Sequence, residues 1–259
     1  MDLSHYKEEL NDNGVVALRS VYNEQDMSMI KAAIDAAVNK PSPFKSSTDT
    51  GNGSFYMDFA NWRRVKELEA ACKYKKTIEI LKKLVDSKKC WLFHDHILIK
   101  SGEAPSTPWH HDRPYYIFKG ALNLSIWTPL EAVPKETGMI FLKGSHKSDD
   151  LYMPRSFKDG SEIEGEGDFK ALDESVLERY EKLEFDLDRG DALVFLNNTI
   201  HSAHSHKNKF DRSSLSIRYL MDGVSLTSKY INATPPFDRM GVKVVEDHPV
   251  PEKFFPEVS

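Results

Sequence analysis

Near residue 90 the spacing of the apolar residues changes from helical to alternating, and nothing else in the chain limits its fold as strongly. Before that point Ile30, Ala33, Ile34, Ala37 and Val38 recur at the spacing of one buried helical stripe, with Asn23 placed to cap it and Asp26 in the first turn. A second amphipathic segment sets Ile78, Leu81, Leu84 and Val85 against Lys75, Lys76, Lys82 and Lys83, which read as a solvated face. From Trp91 the period is two. Trp91 to Ile99 reads as a strand rich in aromatic and branched residues, and Leu122, Leu124 and Ile126 alternate with Asn123, Ser125 and Trp127. Downstream, Arg212, Ser214, Ser216 and Arg218 share one parity against Leu215, Ile217 and Tyr219. These strands each have a packed face and a polar face, and the polar faces are the ones expected to line a site.

The connections read less clearly. Asn13-Gly14 before Val15-Val16-Ala17-Leu18 predicts a turn into a short buried strand. Ser46 to Ser54, rich in Ser, Thr, Asn and Gly, reads as an exposed, mobile loop able to cover a pocket. Residues 147–184 are charged and Gly-containing and read as an insertion, either a surface loop or a lid. After Thr234 the prolines predict irregular structure wrapped over the rest. One domain over residues 1–259 is the simpler reading: about 1–90 as strand and packing helices, 91–222 as the sheet-rich body carrying the 147–184 insertion, and 223–259 as tail.

The chemistry concentrates in two histidine-bearing stretches. In Trp109-His110-His111-Asp112, alternation along a strand points His110 and Asp112 the same way, so that an imidazole and a carboxylate can meet one ion. The run His201-Ser202-Ala203-His204-Ser205-His206 follows the apolar Leu193 to Leu196. A strand-borne His-x-Asp plus one distant His makes a 2-His-1-carboxylate set, which leaves coordination positions open and suits non-heme Fe(II). The rival pair His94-x-His96 lacks the Glu a few residues on that a cupin pattern wants. His111 points away from its neighbours and is expected to be structural, and His146 is expected to make a local hydrogen bond.

Composition narrows the partners. Hydrophobic residues at 40% and charged residues at 29% are ordinary for a globular chain, and the net charge of -5 comes without a basic block. A small-molecule partner is therefore expected, with neither nucleic acid nor a membrane. Two cysteines, Cys72 and Cys90, with no Cys-x-x-Cys and no signal pattern at the N-terminus, predict a cytoplasmic protein. Oligomeric state leaves no trace in the sequence.

Taken in order, Trp109-His110-His111-Asp112, Trp127-Thr128-Pro129-Leu130, Gly138, Gly144-Ser145-His146-Lys147, Gly190-Asp191, His201 and Arg212 resemble the phytanoyl-CoA dioxygenase family, over about Gly14 to Tyr219. The resemblance implies a mainly β fold with flanking α-helices, a double-stranded β-helix or jelly-roll, cupin-like barrel. It implies Fe(II) as the metal and 2-oxoglutarate and O2 as cosubstrates, with succinate and CO2 released. By position it makes His110, Asp112 and His201 the ligands, with His204 a weaker distal candidate because His206 stands where an Asn commonly follows and Asn208 lies two residues on. Arg212 takes the place of the arginine that grips the distal carboxylate of 2-oxoglutarate, a role that suits its planar, permanently charged fork. Trp127 sits where the family has an aromatic near the cosubstrate, and Lys100 and Asn123 are further candidates for contacting it. Tyr115, Tyr116, Arg113 and Arg218 are the candidate substrate residues. The retained Asp112 favours hydroxylation, since related halogenases lack that carboxylate. The expected substrate is a small polar metabolite such as a phosphonate, an amino acid or a quaternary amine. A metal- or ligand-binding β-barrel without 2-oxoglutarate turnover, cupin-like in character, is the alternative.

Overall fold

The structure, a computed structural model, describes residues 2–157, 159–163, 168–206, 211–231 and 233–259. The chain opens with α1 (Ser4–Asn13), β1 (Val15–Leu18), α2 (Glu24–Val38), β2 (Ser46–Asp49), β3 (Gly53–Phe59), α3 (Lys66–Cys72) and α4 (Lys75–Leu84). It continues through β4 (Cys90–Gly102), β5 (Thr107–His110), β6 (Phe118–Lys119), β7 (Asn123–Pro129) and β8 (Met139–Leu142). The remainder is α5 (Glu174–Leu177), β9 (Lys182–Glu184), β10 (Ala192–Leu196), β11 (His201–Ala203), β12 (Arg212–Met221) and β13 (Ser225–Leu226). A large sheet runs in the order β1-β10-β7-β12-β4-β3-β2 and a smaller one in the order β5-β11-β8-β9, and every ladder in both is antiparallel. The sheets do not close into a barrel. They form a jelly-roll sandwich, and both contribute residues to the cavity between them.

Alternation along β7 and β12 decides which side is packed. Leu124, Ile126, Leu215, Ile217 and Tyr219 turn outward into the main core, where the stripe of α2 covers them with Met27, Ile30 and Ile34. Ser125, Trp127, Ser216 and Arg218 turn the other way; Ser125 Oγ reaches Asp112, and the other three line the cavity. Asn23 and Asp26 close a reciprocal capping box at the start of α2. The buried Asp26 carboxylate also takes the Tyr74 hydroxyl and the Lys76 ammonium, each at 2.6 Å, so Lys76 ties α4 to α2 where a merely solvated face was expected. Gly14 ends α1 in the left-handed region at φ 81°, and a Cβ there would collide with His146 and Thr199.

Several expectations need correcting. Ser46 to Ser54 is a hairpin, with β2 at the exposed edge and β3 paired to β4 from Gly53 opposite Gly102 to Phe59 opposite His96. The polar residues that suggested a loop are the outward side chains of an edge strand, and Phe55 and Met57 behind them line the cavity. Helices α1 and α3 carried no clear sequence signal; in α1 only Leu10 is buried, too little to make a stripe. The C-terminal tail is irregular, as its prolines suggest, yet Phe237, Val242, Val250 and Phe255 form a second core with Phe93 and Phe118. Among the described residues no helix is long and apolar enough to cross a membrane.

Candidate metal centre and its cavity

Strands β5 and β11 are neighbours in the small sheet, and their register sets His110 directly opposite His201, with ring centroids 4.2 Å apart. Asp112 reaches the same point by a different route from the one alternation suggests. Strand β5 ends at His110, and Asp112 starts a 3-10 turn at Arg113–Tyr115, its backbone N–H donating to the Asn197 carbonyl at 2.9 Å. The turn brings Asp112 Oδ1 to 3.8 Å from His110 Nε2 and 4.0 Å from His201 Nε2.

Backbone carbonyls fix both imidazoles. His110 Nδ1 lies 2.8 Å from the Pro108 carbonyl and His201 Nδ1 lies 2.8 Å from the Thr199 carbonyl. A carbonyl only accepts, so each Nδ1 carries the proton and each Nε2 presents its lone pair to the centre. Burial pushes the His110 pKa down to about 3, with His201 adding to the effect, and burial lowers His201 as well, so both rings are neutral. Asp112 is held from behind: Tyr116 OH donates to Oδ2 at 3.0 Å, Ser125 Oγ lies at 3.5 Å, and Arg218 Nη2 stands 3.8 Å away. Burial alone would raise the Asp112 pKa; the Arg218 guanidinium, aided by the Tyr116 hydroxyl, outweighs it and keeps the carboxyl ionised. Two neutral imidazole nitrogens and one carboxylate oxygen, all within 4.8 Å of one another, are the donor set an Fe(II) site of this type requires. The residues fit the metal. Among the described residues no other group of three metal-binding side chains occurs, so His94 and His96 have no third partner.

The triad lies on the wall of a cavity whose empty space, open mouth included, is about 1170 Å3. Arg212, Trp127 and Lys100 are on the same wall, as are Tyr115, Tyr116 and Arg218. Arg212 donates to the Thr137 carbonyl, its guanidinium carbon lies 6.0 Å from the Trp127 ring centre, and burial lowers its pKa to about 10, which leaves it charged. Lys100 stands opposite Arg212 in the β4–β12 register and is 1% exposed; its Nζ donates to the carbonyls of Pro105 at 2.7 Å and His204 at 3.1 Å. Two expected residues are not brought to the cavity wall. Asn123 is buried at the start of β7, and Arg113, part-buried in the turn after Asp112, is not among the lining residues. Arg218 is at the wall but engaged, donating to Tyr116 OH at 2.9 Å beside Asp112.

Three of the other histidines have partners away from the centre. His111 Nε2 accepts from the Tyr152 backbone N–H at 3.1 Å, a structural role that anchors the insertion. His146 meets the Asn11 carbonyl, and His204 is 2.5 Å from Glu184, away from the centre. Asn208 lies outside the described residues, as does the 164–167 stretch of the insertion. The described part of that insertion covers the site: Tyr115 OH accepts from the Arg155 N–H and donates to the Arg155 carbonyl, and the Phe157 ring packs against His110 with centroids 4.6 Å apart. Sequence reasoning missed Phe55, Met57 and Phe157 on the wall; for the first two, the period-two run Phe55-Met57-Phe59 was the available signal.

Residues 10–214 match the profile of the phytanoyl-CoA dioxygenase (PhyH) family. No curated protein matches the chain. Among solved structures, the epimerase SnoN in complex with Fe3+, alpha ketoglutarate and nogalamycin RO has a TM-score of 0.78 at 18% identity, covering 99% of this chain and 98% of that one. The non-heme alpha ketoglutarate dependent carbocyclase SnoK from nogalamycin biosynthesis has a TM-score of 0.78 at 16% identity, with 99% and 96% covered. EctD from S. alaskensis in its apoform has 0.69 at 14%, with 95% and 85% covered. At these identities the likeness is one of fold.

Proposed function

The chain belongs to the phytanoyl-CoA dioxygenase family, iron- and 2-oxoglutarate-dependent oxygenases, and from that premise we propose that it oxidises an aliphatic C–H bond of a small molecule, by hydroxylation or a related outcome. The observation that carries this reading is the convergence of His110, Asp112 and His201 within 4.8 Å on the wall of the cavity that also holds Arg212. His110 Nε2, His201 Nε2 and Asp112 Oδ1 would hold Fe(II), and three ligands leave room for the cosubstrates. Fe(II) with 2-oxoglutarate and O2 supplies the oxidising power, releasing succinate and CO2. The protein does the rest. Arg212 would pair with the distal carboxylate of 2-oxoglutarate, with Trp127 beside the guanidinium, and Lys100 would add a second positive charge at that end. Tyr116 and Arg218 keep Asp112 ionised and turned toward the imidazoles, and the Phe157 segment limits access of water.

The described lining residues do not favour the anionic metabolites among those the sequence suggested. An anionic phosphonate or amino acid would need a free cation, but Arg218 is engaged by Asp112 and Tyr116, Arg155 pairs with Glu162 at 3.3 Å, and Arg113 is off the wall. Anaerobic titration of the purified protein with Fe(II) and 2-oxoglutarate tests the proposed function. A visible charge-transfer band that needs both additions, and that His110→Ala or Asp112→Ala abolishes, is expected. Tight Fe(II) binding with no band would instead indicate a metal- or ligand-binding protein that does not use 2-oxoglutarate.

A further inference from the structure

Three buried polar atoms on the cavity side of β4 and β12 have no hydrogen-bond partner among the described residues: His94 Nε2, His96 Nε2 and Ser216 Oγ. All three residues line the cavity. They form one row, because Ser216 is the register partner of His96 and Arg218 that of His94. Proteins seldom leave such atoms unpaired, since burial without a partner is costly. The tautomer of His94 is set by its own strand. Its Nδ1 lies 3.0 Å from the Asp95 carbonyl, so Nδ1 bears the proton and Nε2 is an acceptor aimed at whatever the cavity holds. His94 is 2% exposed and stays neutral, its pKa brought down to about 3 by burial and the nearby Arg218. Ser216 Oγ, in a residue 1% exposed, can donate or accept. An acceptor beside a donor-acceptor is the complement of hydroxyl groups.

The surrounding wall bears on what carries those hydroxyls. Phe55, Phe59, Tyr115 and Phe157, with Met57 and Ile163, give it aromatic and apolar faces. Asp112 is the only carboxylate among the described lining residues, and it is bonded to Tyr116 and faces Arg218. Of the lining cations, Arg212 and Lys100 lie at the cosubstrate end, and Arg155 and Arg218 have carboxylate partners. Among the described residues, the part of the cavity left for substrate therefore has hydrogen-bonding groups and ring faces without free charge. Resting on the function proposed above, we infer that the substrate is a neutral, hydroxyl-bearing ring compound, held by hydrogen bonds from its hydroxyls to His94 Nε2 and Ser216 Oγ and by packing of its ring on the aromatic wall.

A matched series of phenyl compounds separates the classes: phenyl β-D-glucopyranoside as the neutral polyol, phenylphosphonate as the anion and phenyltrimethylammonium as the cation. Each is titrated into the protein in the presence of saturating 2-oxoglutarate, so that Arg212 and Lys100 are occupied, with ligand-observed saturation-transfer NMR, which needs no turnover. The glucoside is expected to bind at least about tenfold more tightly than either charged compound, because a site built for hydroxyls penalises ligands that leave it unpaired. His94→Leu and Ser216→Ala should each weaken the glucoside about fivefold or more and leave the charged compounds unmoved. Ser216→Ala removes a single oxygen and keeps the test valid if His94→Leu fails to fold. Equal or tighter binding of a charged compound, no binding of the glucoside, or glucoside binding indifferent to Ser216→Ala would overturn the inference. Selective glucoside binding in a protein that gives no Fe(II) and 2-oxoglutarate band would instead sink the proposed reaction and leave the binding site standing.

Discussion

At the scale of single residues, the metal centre depends on groups that never touch the metal. Tyr116 donates to the far oxygen of Asp112 and accepts from Arg218 Nε, so one hydroxyl sets both the carboxylate's rotation and its charge partner. Tyr116→Phe keeps the ring packed between Phe93 and His94 and deletes only that hydroxyl. Fe(II) affinity should fall by about 10- to 100-fold, the usual cost of losing such a support, with the thermal transition little changed; anaerobic calorimetry measures the first and circular dichroism the second. Lys100 makes a second prediction. Burial and then Arg212 bring its ammonium pKa to about 7 from an ordinary 10.5, although two carbonyl acceptors favour the charged form. Between those pH values the unfolded chain binds the extra proton, so the Lys100 contribution to stability rises as pH climbs from 7 toward 10.5, and below 7 its full penalty applies. A bound carboxylate reverses that bias. At pH 8, binding of 2-oxoglutarate should take up as much as about one proton, seen as a buffer-dependent calorimetric enthalpy and absent in Lys100→Met. The triad of His110, Asp112 and His201 was legible because those residue types are specific to metal chemistry. Tyr116 was legible only as an aromatic near the motif, since nothing in the sequence tells which hydroxyl will meet which carboxylate.

At the scale of elements, periodicity was readable wherever a strand has two unlike faces. The alternation in β4, β7 and β12 gave both the packed side and the cavity side, and the stripe of α2 gave its buried face. Reading failed where an element exposes most of itself. Strand β2 is almost wholly exposed and looks like loop composition, while β5 is too short for its turn into Asp112 to show. The insertion after β8 is the element whose behaviour matters most for access; Tyr152, Leu172 and Val176 pack its base against Leu142 and Ile200, and a few bonds hold the part over the site. Tyr115 OH clamps both backbone groups of Arg155, and His111 holds the Tyr152 N–H. Tyr115→Phe removes the Arg155 clamp without changing the ring that faces Phe157. Amide exchange over 152–157 should speed up by about tenfold, as expected when roughly 1 kcal/mol of local stability is lost, while exchange in β12 stays at the wild-type rate. Equal acceleration in both would mean that the clamp serves the whole fold and does not govern the cover alone.

At the scale of the molecule, the large sheet is sandwiched between unlike supports. Helices cover its outer face, and the C-terminal tail packs a separate aromatic cluster against Phe93 at the end of β4 and Phe118. The prolines of that tail made it read as irregular structure wrapped over the rest, because composition reports the absence of regular structure and says nothing about where single large side chains go. Phe255 is the sharpest case. It is fully buried, with ring centroids 4.9 to 5.5 Å from Phe237, Phe118 and Phe93. Phe93 is in turn 4.9 Å from Tyr116, so the tail, the support of Asp112 and the end of β4 are one packed unit. Phe255→Ala should cost about 3–5 kcal/mol, because the aromatic neighbours are too rigid to collapse into the void. For a chain of this size that is a fall in melting temperature on the order of 10 °C. Fe(II) affinity measured well below the transition should also drop, since Tyr116 loses the lateral packing that aims its hydroxyl. A large fall in melting temperature with unchanged Fe(II) affinity would show that the aromatic cluster stabilises the fold without reaching the metal centre.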